Sequence, residues 1–193
     1  MIGLELDDVA VDGCITKAPG GGEAAGRSPV DRGKQGLKRS TVTDATGIPF
    51  HVVATGANRH DEPLLGPTLA GLEAWVPPRD RTTVHLDRGY DSGVTRALLD
   101  ALGFIGAIAR KGLPAPVQVG KRWVVERTHA WMNGYGKLRR CTEKAKSVVD
   151  FYLSRSHVRR HALPDPAGAI ALPVAGTPYH AEAEMMPIAG RSK

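Results

Sequence analysis

Cysteine is scarce in this chain. Its 193 residues hold two, Cys14 and Cys141. Two thiols without CxxC spacing build no zinc site of their own, and their scarcity suits a reducing cytoplasm rather than a disulfide-stapled secreted domain. The stretch "MIGLELDDVAVDG" at the start carries acids where a secretory signal needs cations and a longer apolar run. No apolar run approaches the roughly 20 residues that cross a membrane. An excess of acid is also lacking: 26 Lys and Arg face 20 Asp and Glu, a formal balance of +6 with a pI near 9.5. Such a balance favours a polyanionic partner, with nucleic acid first. The apolar fraction of 41% is ordinary, and the length fits one domain with a real core, or one domain and a tail.

The pattern along the chain predicts an α/β or α+β domain. Residues 7–18 alternate as a half-buried strand does. Residues 18–36 are rich in Gly and Pro and predict a long loop, and 37–56 predict a hairpin around Asp44-Ala45-Thr46-Gly47. Leu65, Leu69 and Leu72 mark a helix in 61–76, and "RTTVHLD" is a strand. A helix follows over 92–103, with Ser92 as N-cap and Gly103 as stop. Residues 104–112 predict a short buried strand, and helices are expected over 121–140 and 146–163. From Pro164 to Lys193 five prolines and no period predict a disordered tail, so the expected division is a domain over 1–163 and a tail over 164–193.

Three acids fit a metal-dependent phosphoryl-transfer site. Such sites hold hard cations about 3.5–4 Å apart, and hard cations take carboxylate oxygens. Asp12 lies at or near the end of the first strand, and Asp87 ends "TVHLD" where a site on an open sheet belongs. A polar turn accounts for Asp87 as well. On the helix 121–140, at about 100° per residue, Val124, Thr128, Trp131, Tyr135 and Leu138 form one seam. Glu126 falls on the opposite side with Arg122, His129, Asn133 and Arg140. That side reads either as a solvated face with an Arg122–Glu126 pair, or as a face turned toward Asp12 with its cations meeting phosphates.

These residues carry a resemblance. "VAVDGCITKAPGGG", "RSPVDRGKQG", "TGANRHDEPLL", "HLDRGYDS" and "RWVVERTHAWMNGYGKLRRCTE" resemble, in order, blocks of bacterial insertion-sequence transposases of the DDE class, in the group spanning the families numbered four and five. The likeness covers about residues 5–160. It implies a ribonuclease H-like mixed sheet with flanking helices and metal-dependent DNA cleavage and strand transfer. It also implies Asp12, Asp87 and Glu126 as catalytic and metal-binding triad for two Mg²⁺ or Mn²⁺ ions. Arg122 matches the arginine of the family's helix motif. The implied partners are DNA, at element ends and target, and a full-length transposase or a second copy, with no membrane; the implied location is the cytoplasm, at the nucleoid.

Two features depart from the family. Its members place a DNA-recognition region before the first aspartate, whereas Asp12 lies almost at the start, so the expectation is a truncated or remnant copy. The relatives numbered four carry a tyrosine seven residues before the glutamate and a lysine seven after, where this chain has Val119 and Asn133. The alternative expectation is therefore a non-catalytic fragment that binds DNA or a transposase and inhibits it.

Other constellations stay open. His85 with Asp87, or Asn58, His60, Asp61 and Glu62, suggest a His/Asp metallohydrolase, but no HxxxH spacing joins them. Arg27, Arg32, Lys34, Lys38 and Arg39 are either phosphate contacts or solvated cations. The densest cationic run, "KLRRCTEKAK", offers Lys137, Arg139, Arg140 and Lys144 to DNA.

Overall fold

The computed structural model describes residues 5–73, 82–114 and 121–161. The expected tail from Pro164 onward lies outside the described residues. Among these, six strands form one mixed sheet: β1 (Asp8–Lys17), β2 (Gly26–Arg27), β3 (Gln35–Asp44), β4 (Pro49–Gly56), β5 (Thr83–Leu86) and β6 (Ile105–Ile108). The order is β2-β3-β1-β5-β6, with β4 also on β3. β1 runs antiparallel to β3 and parallel to β5, and so stands at the centre.

Helices cover both faces. On one lies α1 (Glu62–Glu73), whose Leu65, Leu69 and Leu72 pack with Val9, Val11, Val42, Val84, Leu86 and Leu99. Burying each such leucine contributes about 1.5–3 kcal/mol. Next to it α2 (Gly93–Ala101) starts where the sequence predicts: Ser92 accepts from the Thr95 N–H at 3.0 Å, and Gly103 follows the helix with φ +75°. The other face carries α3 (Arg122–Met132), α4 (Gly136–Arg139) and α5 (Lys146–His161), with Met132, Leu138, Val149 and Leu153 packed on Leu37 and Ala54.

Five expectations are corrected. The helix expected over 121–140 breaks after Met132 and resumes as α4, because glycines at 134 and 136 make continuation costly. Its buried seam is Val124, Val125, Thr128, His129 and Met132, while Trp131 and Tyr135 are only half-buried. The buried strand expected in 104–112 is a sheet edge, with Ile105 53% exposed. Within the expected loop 18–36, β2 pairs with the start of β3. Lys38 and Arg39, expected beside that loop as solvated or phosphate-facing cations, lie inside β3 and are buried at 6% and 0% exposure.

Candidate acidic site

Strand alternation places Asp8, Ala10, Asp12 and Cys14 on the face of β1 that α3 covers. Ala10 pairs with His85, and two residues further along the parallel strands come Asp12 and Asp87. Asp12 accepts a hydrogen bond from the Gly13 N–H at 2.7 Å. Burial pushes its carboxyl up to about 7; the Gly13 N–H opposes this, and the charges of Asp87, Asp61 and Glu126 add to it. Four acids therefore share one field. Asp87 stands just past β5, where the chain turns into a short 3₁₀ segment, and Asp87 Oδ1 accepts from the Gly89 N–H at 2.8 Å.

Glu126 lies on α3, exposed, and makes no hydrogen bond or ion pair among the described residues. The β3–β4 turn sets the helix that carries it. Thr128 Oγ1 donates to the Gly47 carbonyl at 2.7 Å, and Arg127 donates to the Thr46 carbonyl. Gly47 adopts φ +84°, and a Cβ there would sit 3.0 Å from Arg127, Thr128 and Val124, so glycine lets the helix and turn close. The turn itself is built by Asp44, which accepts from the N–H groups of Thr46 and Ile48 at 2.9 and 2.7 Å.

Behind the acids lies a buried polar layer that the sequence does not announce. Arg39 NH2 donates to Asn133 Oδ1 at 2.6 Å and to Cys14 Sγ at 3.4 Å, while its Nε and NH1 find no partner. His129, expected on the polar face with Glu126, turns inward. Burial and then the Arg39 charge hold it down to about 4, so it is neutral at neutral pH; the Asp12 carbonyl opposes this without completing a hydrogen bond. On the other face Tyr90 is 1% exposed, and its hydroxyl lacks a partner: Ser40 Oγ approaches it outside hydrogen-bond geometry. Burial raises the Tyr90 phenol, and Asp61, Asp12 and Asp87 add to the rise in that order.

By sequence Asp61 stands out only within the His/Asp alternative. In the structure Asp61 Oδ2 pairs with Lys38 Nζ at 2.9 Å, and its other oxygen packs against Gly13. The glycine after Asp12 was the one available signal, since it leaves room for a carboxylate. His85 belongs elsewhere: its Nε2 meets Asp8 Oδ1 at 2.7 Å, and Lys121 meets the other oxygen of Asp8 at 3.2 Å. Among the described residues no three His, Cys, Asp or Glu side chains stand close enough to share one ion. The donor chemistry nonetheless suits a hard divalent cation. Asp12, Asp87 and Glu126 offer only carboxylate oxygens, and the buried Asp12 carries a penalty that a cation would relieve.

Of the cations named for DNA, Arg32, Lys34, Arg139, Arg140 and Lys144 are exposed, and Arg122 is half-buried at the start of α3. Lys137 is engaged, paired with Glu143 and set 5.7 Å from the Tyr152 ring centre. Among the described residues no helix is long and apolar enough to cross a membrane.

The family described as "Transposase DDE domain" matches residues 4–112, which include Asp12, Asp61 and Asp87. This chain belongs to the DDE transposase family. The "Putative transposase for insertion sequence element IS402" of Burkholderia cepacia is 38% identical over 135 residues, covering 66% of this chain and 64% of that protein. The match therefore spans less than two thirds of the curated relative. Among solved structures, the chain in "Crystal structure of a pre-cleavage Mos1 transpososome" aligns with a TM-score of 0.50 at 12% identity, over 79% of this chain and 48% of that one. That likeness concerns the fold, and the mixed sheet with flanking helices is ribonuclease H-like. For this DDE transposase domain the family match ends before Glu126.

Proposed function

We propose that this DDE transposase domain cuts and joins DNA strands during insertion-sequence transposition, with Asp12, Asp87 and Glu126 as its acid triad. The observation that carries the reading is the register of parallel β1 and β5, which sets Asp12 and Asp87 two residues beyond the Ala10–His85 pair, with Asp12 buried. Asp12 is held by its own Gly13 N–H, and Asp87 keeps one oxygen open while Gly89 holds the other. Glu126, exposed and unbonded among the described residues, would complete the donor set. Bound Mg²⁺ or Mn²⁺, two ions in this reading, would activate water or a 3′-hydroxyl and steady the leaving oxygen. Arg122, Arg139, Arg140 and Lys144, with Arg32 and Lys34, would hold the phosphate backbone without reading its sequence.

The test is nicking of supercoiled DNA by the purified protein with Mg²⁺ or Mn²⁺. Asp87→Asn keeps the shape of the side chain and removes its charge, so nicking should vanish while the melting curve stays put. Equal nicking by both proteins refutes the mechanism. No nicking by either, together with salt-sensitive DNA binding, favours a non-catalytic DNA-binding role.

A further inference from the structure

Asp61 is the one acid in this field that the triad does not use. It begins the segment entering α1 and reaches the sheet at Gly13, the residue after Asp12. A Cβ built on Gly13 would lie 2.0 Å from Asp61 Oδ1, so the carboxylate occupies the space a larger residue would fill. That oxygen is buried and has no hydrogen-bond partner. The other oxygen is fixed by Lys38 at 2.9 Å, and the Lys38 side chain is only 8% exposed. A second observation marks the same spot. The Tyr90 hydroxyl, buried and unpartnered, is aimed where the charges of Asp61, Asp12 and Asp87 all reach it.

We propose that Asp61 supports the acidic site through its charge: wedged against Gly13, beside Asp12, it adds a fourth negative charge that strengthens divalent-cation binding by the triad, and its ion-pair partner Lys38 screens that charge. The proposal rests on the reading of Asp12, Asp87 and Glu126 as cation ligands. Asp61 itself need not touch the cation. The Asp61 side chain is 39% exposed although its Oδ1 is buried, so its charge reaches Asp12 partly screened by solvent. Lys38 limits that effect by neutralising part of the charge. The pair therefore makes opposite contributions: losing Asp61 weakens the cation's hold, and losing Lys38 does not.

The difference in sign separates this role from simple packing. Mn²⁺ binding is measured by titration calorimetry on the full chain, without DNA, for the wild type, Asp61→Asn, Lys38→Gln and Asp12→Asn, with a melting curve for each. Asp61→Asn should bind Mn²⁺ on the order of 10-fold more weakly, as loss of a group supporting a ligand does. Lys38→Gln should bind as tightly as the wild type or more tightly, and Asp12→Asn should lose most binding. Equal weakening in Asp61→Asn and Lys38→Gln makes the pair a structural clamp and overturns the assignment. An Asp61→Asn variant that binds normally overturns it outright. If Asp61→Asn does not fold, Lys38→Gln decides by the direction of its change. Failure of Asp12→Asn to alter binding refutes the triad itself, whereas an Asp12-sensitive, Asp61-insensitive site refutes only this inference.

Discussion

Replacing Asp12 with asparagine should stabilise the cation-free protein at neutral pH. Burial pushes its carboxyl in the folded chain up to about 7, from an ordinary 3.8. Between those values the unfolded chain has released the proton and the folded chain keeps it, so stability falls as pH rises, by about 1.4 kcal/mol per pH unit. The full loss, complete above about 7, is at most about 4 kcal/mol. His129 works in the opposite direction. Burial holds it down to about 4 in the folded chain, from an ordinary 6.5, so its contribution is complete above 6.5 and is lost as pH falls toward 4. In the shared window the two slopes offset each other, and the wild type should show little pH dependence from this pair. Asp12→Asn uncovers the His129 slope. Urea unfolding of both proteins from pH 4 to 8, with a chelator present, gives the difference directly. It should be small near pH 4 and grow toward neutrality in favour of the variant. Mg²⁺ should narrow it by stabilising the wild type alone. A difference that stays flat across this range would refute the burial and crowding assigned to Asp12.

Three further outcomes are expected. Gly13→Ala should cost about 1–3 kcal/mol in urea unfolding, because the new methyl displaces the Asp61 carboxylate; combined with Asp61→Ala it should cost less than the two changes added separately. Leu65→Ala, at a side chain with 0% exposure in the α1 core, should destabilise by about 2–5 kcal/mol in the same assay. Arg140→Gln should weaken DNA binding similarly across sequences and reduce the slope of log affinity against log salt by about one, whereas Lys137→Gln, whose cation already serves Glu143, should change it less.

Much of the architecture was legible because local signals and tertiary packing agree. Ser92, Gly103 and the Asp44–Gly47 turn act where their chemistry predicts, and Leu65, Leu69 and Leu72 face the core. Asp12 and Asp87 were legible as acids at strand positions, and the parallel pairing of β1 with β5 brings them to one face. The polar interior was not. Lys38 and Arg39 look like surface cations by composition, and only the sandwiching of β3 between two helical layers buries them. His129 follows the helix period onto the polar side of a longer helix, but α3 docks through the Gly47 turn, a long-range contact that rotates the ring inward. Asp61 joins the site through space left by a glycine 48 positions earlier in the chain, and no sequence period reports such a contact.

The central place of β1 also orders events during synthesis. It is the earliest of the described strands, yet its two neighbours are made at very different times. The antiparallel partner β3 follows within a few tens of residues, so β1, β3 and β4 can pair while the ribosome is still working toward residue 83. The parallel partner β5, which ends just before Asp87, comes later, and α3 with Glu126 later again. On the proposed assignment, a chain interrupted anywhere in this interval would hold a formed half-sheet but no cutting centre, so ability to damage DNA would arise only once translation has passed α3.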